Sequence, residues 1–206
     1  MTDQIPILKP KTVLEKKDDE KRKPVKLILL GDSAVGKSKL VERFLIQRYV
    51  PVQMSTYALT LFRYDFVTED GQEVDVDIWD TAGQERFASM HPAYYHDSHV
   101  CILVFDVTRK PTYKNLEKWL QELRNYREHI PCIVACNKID TDPEVVSRAF
   151  AFAERHGFPL HYVSAADGTN VVQLFESAIS IGAAYKKNPN SDDFMTQVLE
   201  ILNEGK

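Results

Sequence analysis

Cysteine is scarce in this chain, and its scarcity excludes a disulfide framework. Only Cys101, Cys132 and Cys136 occur. The number is odd and each lies in an apolar, strand-like run, which is the placement of reduced, buried thiols and of a cytosolic kind of compartment. No apolar stretch approaches the ~20 residues that cross a bilayer, and no secretory signal opens the chain. Charge of one sign is not in excess either. The 206 residues hold 26 Lys and Arg against 30 Asp and Glu, too even a balance for the field that nucleic-acid binding uses. Lipid attachment lacks its acceptors. Residue 2 is threonine, not the glycine of myristoylation, and the last residues, Asn203-Glu204-Gly205-Lys206, offer no cysteine to a prenyl group. The expectation is a cytoplasmic monomer with no lipid anchor of its own and no nucleic-acid partner.

What is present is a core-forming chain, 44% hydrophobic, with charged ends. Residues 1–24 mix Lys with Asp and Glu and read as a disordered arm. Residues 25–186 read as one domain, and 187–206 as a tail. Within that tail, 191–203 has the spacing of an amphipathic helix, with Ser191 or Asp192 as cap and Phe194, Val198, Ile201 and Leu202 on one face. Docking on its own domain and binding a partner are both open for it.

Between the ends, strand and helix patterns alternate. Strands are expected at 25–30, 57–68, 74–79, 100–105, 133–136 and 160–163. The second and third alternate apolar with polar residues around Glu69-Asp70-Gly71, a hairpin signal. The run 100–105 is continuously apolar, as in a strand covered on both faces, 133–136 reads as another buried strand, and 160–163 as a short one. Helices are expected at 37–47, around Leu116, Trp119, Leu120, Leu123 and Tyr126, from Pro143 to Arg155 or His156 with Gly157 as stop, and over 171–185. This order predicts an α/β fold: a mostly parallel six-stranded sheet with one antiparallel hairpin strand and helices on both faces. Ligands in such sheets bind at the carboxyl ends of the strands.

The stretch Gly31-Asp32-Ser33-Ala34-Val35-Gly36-Lys37-Ser38 fits G-x-x-x-x-G-K-[ST], the phosphate-binding P-loop pattern, between an apolar strand and an amphipathic helix. Gly31 and Gly36 permit a tight turn whose N–H groups converge on one anion. The helix starting near Lys37 adds its positive dipole end. Lys37 would reach the β- and γ-phosphates, and the Ser38 hydroxyl would ligate Mg²⁺. Ser33, Ala34, Val35, Gly36 and Lys39 complete the expected phosphate contacts.

Further polar groups follow later strands. Asp80-Thr81-Ala82-Gly83-Gln84-Glu85 places a carboxylate, Asp80, where it can hold Mg²⁺ from the outer sphere. The Gly83 N–H can meet a γ-phosphate, and Gln84 can orient an attacking water. Asn137-Lys138-Ile139-Asp140 suits guanine. Asp140 can accept from N1–H and the 2-amino group, neither of which adenine offers, and such hydrogen-bonded sites reject the wrong base by ~10⁴ or more. Asn137 would bond N7 and tie its loop to the P-loop, while the Lys138 stem covers the base face. Ser164-Ala165-Ala166 would present a backbone N–H to guanine O6. Thr56 is a candidate to complete the Mg²⁺ shell.

The series GDSAVGKS, Thr56, WDTAGQE, NKID, SAA resembles the small Ras-type GTPases, and WDTAGQERF with Ser55-Thr56 resembles their Rab branch. The similarity spans about 25–185. STYALTL, SMHPAYYH, FDVTRKPTY and VSAADGTNVV are similar to a Rab-like offshoot whose setting is the centriole base, the basal body and the intraflagellar transport machinery of cilia. The resemblance implies a P-loop NTPase G domain that binds GTP or GDP with Mg²⁺, hydrolyses GTP slowly and reorders the loops around Thr56 and Gln84. It implies effectors that bind the GTP state, intraflagellar transport and centriolar proteins among them, and a GTPase-activating protein. By position, it places Tyr49 beside the base. The chain departs from the Rab pattern at three places: Ala34 for glycine, Tyr57-Ala58 for Ile-Gly, and Ala166 for lysine. Weaker nucleotide retention and fast unaided exchange are expected from them.

In this reading Lys37 and Mg²⁺, held by Ser38 and Thr56, offset the developing charge while Gln84 aligns water, and no arginine in cis is evident. Two rivals stand beside it. A non-cycling, nucleotide-bound interaction module is disfavoured by Gln84 and Thr56, and an ATP-using P-loop enzyme by Asp140. His91, His96 and His99 do not have the spacing of a zinc site.

Overall fold

The structure is a computed structural model that describes residues 23–47, 59–67, 71–81 and 91–189. Its centre is strand β1, Val25–Leu30, in which all six residues are buried. Around it lie β2, Leu59–Val67, β3, Glu73–Thr81, β4, Val100–Asp106, β5, Cys132–Asn137, and β6, Leu160–Val163. The sheet order is β2-β3-β1-β4-β5-β6. β2 pairs antiparallel with β3, and every other pair is parallel. The expected six-stranded sheet with one antiparallel strand is therefore the observed one.

Successive residues of a strand point to opposite faces, and β1 feeds two cores in turn. Leu27 and Leu29 join Leu40, Val41 and Phe44 of helix α1, Lys37–Gln47, and Leu174, Phe175 and Ala178 of helix α6, Val171–Lys187. Ile28 and Leu30 join Leu116, Trp119, Leu120 and Leu123 of helix α4, Leu116–Tyr126, and Phe152 of helix α5, Ala151–His156. A strand flanked by two cores is apolar at nearly every position, which is why β1 apart from Lys26, and β4 and β5 up to their terminal Asp106 and Asn137, read as apolar runs. The three cysteines are free and buried in β4 and β5.

Two short helices were not anticipated from the sequence. α2, His91–Tyr95, buries Tyr94 and Tyr95, and α3, Lys110–Lys114, starts on Pro111 and bends into α4 at Asn115. The single helix expected from Pro143 is corrected. The chain makes 3₁₀ turns at Ile139–Thr141 and Pro143–Ser147, passes through extended Arg148, and enters α5 only at Ala151. Tertiary contacts outweigh helical propensity there. The Tyr162 hydroxyl donates to Arg148 O at 2.5 Å, and the Phe150 ring packs on Phe105 and Tyr113 at centroid distances of 5.0 and 5.2 Å. Gly157, with φ of 66°, ends α5 as anticipated. The arm (but for residues 23 and 24) and the 191–203 helix lie outside the described residues.

Register aligns the strand ends. Leu29 pairs with Asp80, Asp106 with Asn137, and Asn137 with Val163. The carboxyl ends of five parallel strands thus open onto one edge of the sheet, where the motifs of the sequence meet.

Candidate functional site

The loop from Gly31 to Ser38 joins β1 to α1 and packs tightly against its neighbours. A Cβ on Gly31, whose φ is +146°, would stand 2.2 Å from Val104 O. One on Gly36, whose φ is +103°, would stand 2.3 Å from Asn137 Nδ2. Both positions exclude a side chain, so the backbone itself borders the site. Ala34 adopts a left-handed φ of 60° without being glycine, a strained choice. Val35 is fully buried in the core and offers the site only its backbone.

Lys37 curls over this loop. Its ammonium donates to Gly31 O at 2.7 Å and Asp32 O at 3.0 Å, and the residue is only 5% exposed. Burial pulls its pKa down to about 8, against the opposing influence of Asp80 and Asp32. A buried cation whose hydrogen-bond acceptors among the described residues are carbonyls is a favourable partner for an anion.

Beside the loop lies a cavity of about 700 Å³, the size of a small-molecule site. It is lined by Ser33, Ala34, Gly36, Lys37, Ser38 and Lys39 of the P-loop and α1 start as one wall, by Asn137, Lys138, Asp140, Ala165 and Ala166 of the later strand ends as the other, and also by Arg43 and Thr81. Asn137 links the walls. Its Nδ2 donates to Val35 O at 2.8 Å, and its Oδ1 accepts from Ala165 N at 3.2 Å. Lys138, itself left-handed at φ 69°, donates to Ala34 O at 3.1 Å. Asp140 is exposed on the cavity wall, and its carboxylate is oriented by the Ser164 hydroxyl, which donates at 2.7 Å. Ser164 Oγ in turn accepts from the N–H groups of Ala166 and Asp167, both at 3.2 Å.

A set of residues that sequence reasoning missed holds these loops. Asp106, 1% exposed, accepts from Lys138, from the Thr108 N–H and hydroxyl, and from Arg109 Nε at 2.9 Å. Burial raises its pKa, but these donors outweigh burial and hold it at about 2. Arg109 Nη2 donates to Ser33 O at 2.9 Å. Asp32 is gripped from α4 and its approach: Asn115 Nδ2 and Trp119 Nε1 each donate at 2.8 Å. Arg43 of α1 donates to the carbonyls of Ala165 and Ala166. A polar residue directly after the 100–105 run was a legible signal for Asp106; an arginine on an amphipathic helix gave none for Arg43.

Asp80, 1% exposed, is the last but one residue of β3, beside Leu29 and near enough to Lys37 to act on its charge. Thr81 locks that strand end by donating to Leu29 O at 2.6 Å. For Mg²⁺ the donor chemistry fits: Ser38, which lines the cavity beside Lys37 in sequence, offers a hydroxyl, and Asp80, close enough to act on the Lys37 charge, offers a carboxylate, both hard oxygen donors. Tyr49, Thr56, Gly83 and Gln84 lie outside the described residues. Of the histidines, His96 is exposed beside Asp97 at 3.5 Å, and His99 Nδ1 accepts from the Lys26 N–H at 2.9 Å.

Comparison with known proteins agrees with this geometry. The profile of the Ras family matches residues 26–182. Rab-like protein 2A of Pongo abelii is 58% identical over 178 residues, 86% of this chain and 76% of its own. Rab-like protein 2A of Mus musculus is 55% identical over 193 residues, 94% of this chain and 85% of its own. Ras-related protein RABD2a of Arabidopsis thaliana is 40% identical over 154 residues, 73% and 75% of the two chains.

Proposed function

Because this chain belongs to the Ras family and is a Rab-like small GTPase, we propose that it is a guanine-nucleotide switch that holds GTP or GDP with Mg²⁺, hydrolyses GTP slowly and recruits effectors in its GTP form. The observation that carries the base assignment is the seam between the cavity walls. Asn137, from the end of β5, is bonded to Val35 of the P-loop 102 residues away, with Asp140 beside it on the same cavity. A guanine lying between Lys138 and Ala165 would present N1–H and its 2-amino group to the Asp140 carboxylate that Ser164 orients. The test is Asp140→Asn, which turns that acceptor into a mixed donor and acceptor. We expect loss of GTP affinity and gain of xanthosine triphosphate; unchanged GTP affinity refutes the role.

Hydrolysis is mainly positioning and charge compensation. The P-loop N–H groups would cradle the phosphates. Lys37 would exchange its carbonyl partners for β- and γ-phosphate oxygens, and Gln84 would orient the water. Ser38, Asp80 and Thr56 are the residues that would hold Mg²⁺, which when bound offsets phosphate charge. Arg109, which reaches the P-loop, is committed to Asp106 and Ser33 O, and Arg43 to the carbonyls of Ala165 and Ala166. Unaided turnover should therefore be slow, on the order of 10⁻⁴–10⁻³ s⁻¹, with a GTPase-activating protein supplying the missing charge. Loss of the γ-phosphate would release Thr56 and the Gly83 N–H.

Similarity to the Rab-like branch supports intraflagellar transport and centriolar proteins as partners and a cytoplasmic protein recruited to the ciliary base. Affinity capture with Gln84→Leu, locked with GTP, against Ser38→Asn, held with GDP, tests this: ciliary transport proteins should be retained by the first and absent from the second. The strained Ala34 supports weak nucleotide retention and fast exchange. GDP release as slow as in ordinary Rab proteins would contradict it.

A further inference from the structure

We propose that Arg43 is a specificity-positioning residue: its guanidinium fixes the backbone of Ala165 and Ala166 so that the loop's N–H meets an oxygen at the 6-position of the base. The proposal rests on the guanine reading above. Arg43 lies on α1, the helix that begins at Lys37, and its side chain lines the cavity. Its Nε donates to Ala165 O at 3.0 Å and its Nη2 to Ala166 O. Two bonds from one planar fork to consecutive carbonyls fix the orientation of a peptide as well as its position, which a lysine cannot do.

The same loop is held from its other side. The Ala165 N–H donates to Asn137 Oδ1 at 3.2 Å, while Asn137 Nδ2 donates to Val35 O at 2.8 Å. Both holds trace back to the phosphate-binding turn, one through Val35 and one through α1. Ala165 and Ala166 carry only methyl groups and add no polar side-chain anchor of their own. At 3.2 Å the bond to Asn137 is at the long end of the usual range, so this N–H can be shared with a ligand oxygen. A 6-oxo group accepts from it, whereas a 6-amino group faces it donor to donor. Arg43 thereby acts on base choice without touching the base.

The test compares protein loaded with GDP and with 6-thio-GDP, which keeps N1–H and the 2-amino group and replaces only the 6-oxygen. In the wild-type chain, the amide proton of Ala165 or Ala166 should shift in the NMR spectrum when oxygen is exchanged for sulfur. In Arg43→Ala that sensitivity should vanish, and GDP should dissociate about tenfold faster, the scale of a lost charge-assisted hydrogen bond. Arg43→Lys, which keeps the charge and loses the fork, should fall between and serves if the alanine variant folds poorly. Variants with the wild-type amide response and GDP release overturn the proposal while leaving the guanine reading intact. A wild-type protein whose loop amides ignore the exchange overturns the O6 contact itself.

Discussion

At the scale of single residues, the site is a set of charges and strained backbones held in place by one another. Ala34 holds a left-handed φ of 60°, which costs a residue with a Cβ roughly 1–2 kcal/mol. Ala34→Gly should therefore raise the unfolding free energy by about 1 kcal/mol and slow GDP release. Calorimetry and a nucleotide-chase assay check both, and an unchanged or lower stability contradicts the strain. Asp106 makes a pH prediction. Its folded pKa, about 2, lies below the ordinary 3.8, so its contribution is fully present above pH 3.8 and is lost as pH falls from about 4 to 2. That contribution is roughly 2 kcal/mol. In Asp106→Asn, denaturant unfolding followed at stepped pH should show a shallower loss of stability across this window than the wild type. Equal slopes contradict the assignment. At neutral pH the same variant leaves Lys138 and Arg109 without their shared carboxylate and should weaken GDP binding.

At the scale of elements, α1 carries two loads: it begins at the P-loop and it seals one core. Phe44 stacks on Phe175 of α6 at 4.5 Å between ring centroids, and both are fully buried. Phe175→Ala should cost about 3–5 kcal/mol by cavity formation, measured by denaturant titration. Because the contact lies away from the cavity, nucleotide specificity should survive; a change of specificity without loss of stability contradicts this division. Elements differ in how far the sequence announces them. β1, β4 and β5 are legible because burial on both faces favours apolar residues almost throughout, with Lys26 the interruption in β1, and α1 because its periodicity starts at a motif. The break at Arg148 is not legible, since its causes, the Tyr162 hydroxyl and the Phe150 ring contacts, come from distant parts of the chain. α3 had a readable sign in Pro111 at its first turn. The site follows the same rule. Residues at strand ends, such as Asp80 and Asn137, could be placed from order alone. The struts Arg43 and Arg109 reach carbonyls 122 and 76 residues away, and no local pattern encodes such a meeting.

At the scale of the whole molecule, one sheet edge gathers the ends of five parallel strands and with them the residues proposed to contact phosphate, metal and base, so on the proposed reading a change of nucleotide would reach segments that share no sequence neighbourhood. Single-turnover assays should find Gln84→Leu at least ten times slower than the wild type in GTP hydrolysis, about the loss expected when a water-positioning group is removed. Equal rates would make the protein a nucleotide holder rather than a cycling switch. The central claim is that the terminal phosphate ties Thr56 and Gly83 to one site. Hydrogen exchange in full-length protein loaded with GDP and with a non-hydrolysable GTP analogue tests it most directly. The account predicts clearly slower exchange at 55–57 and 82–86 with the analogue; identical exchange in the two states would contradict it.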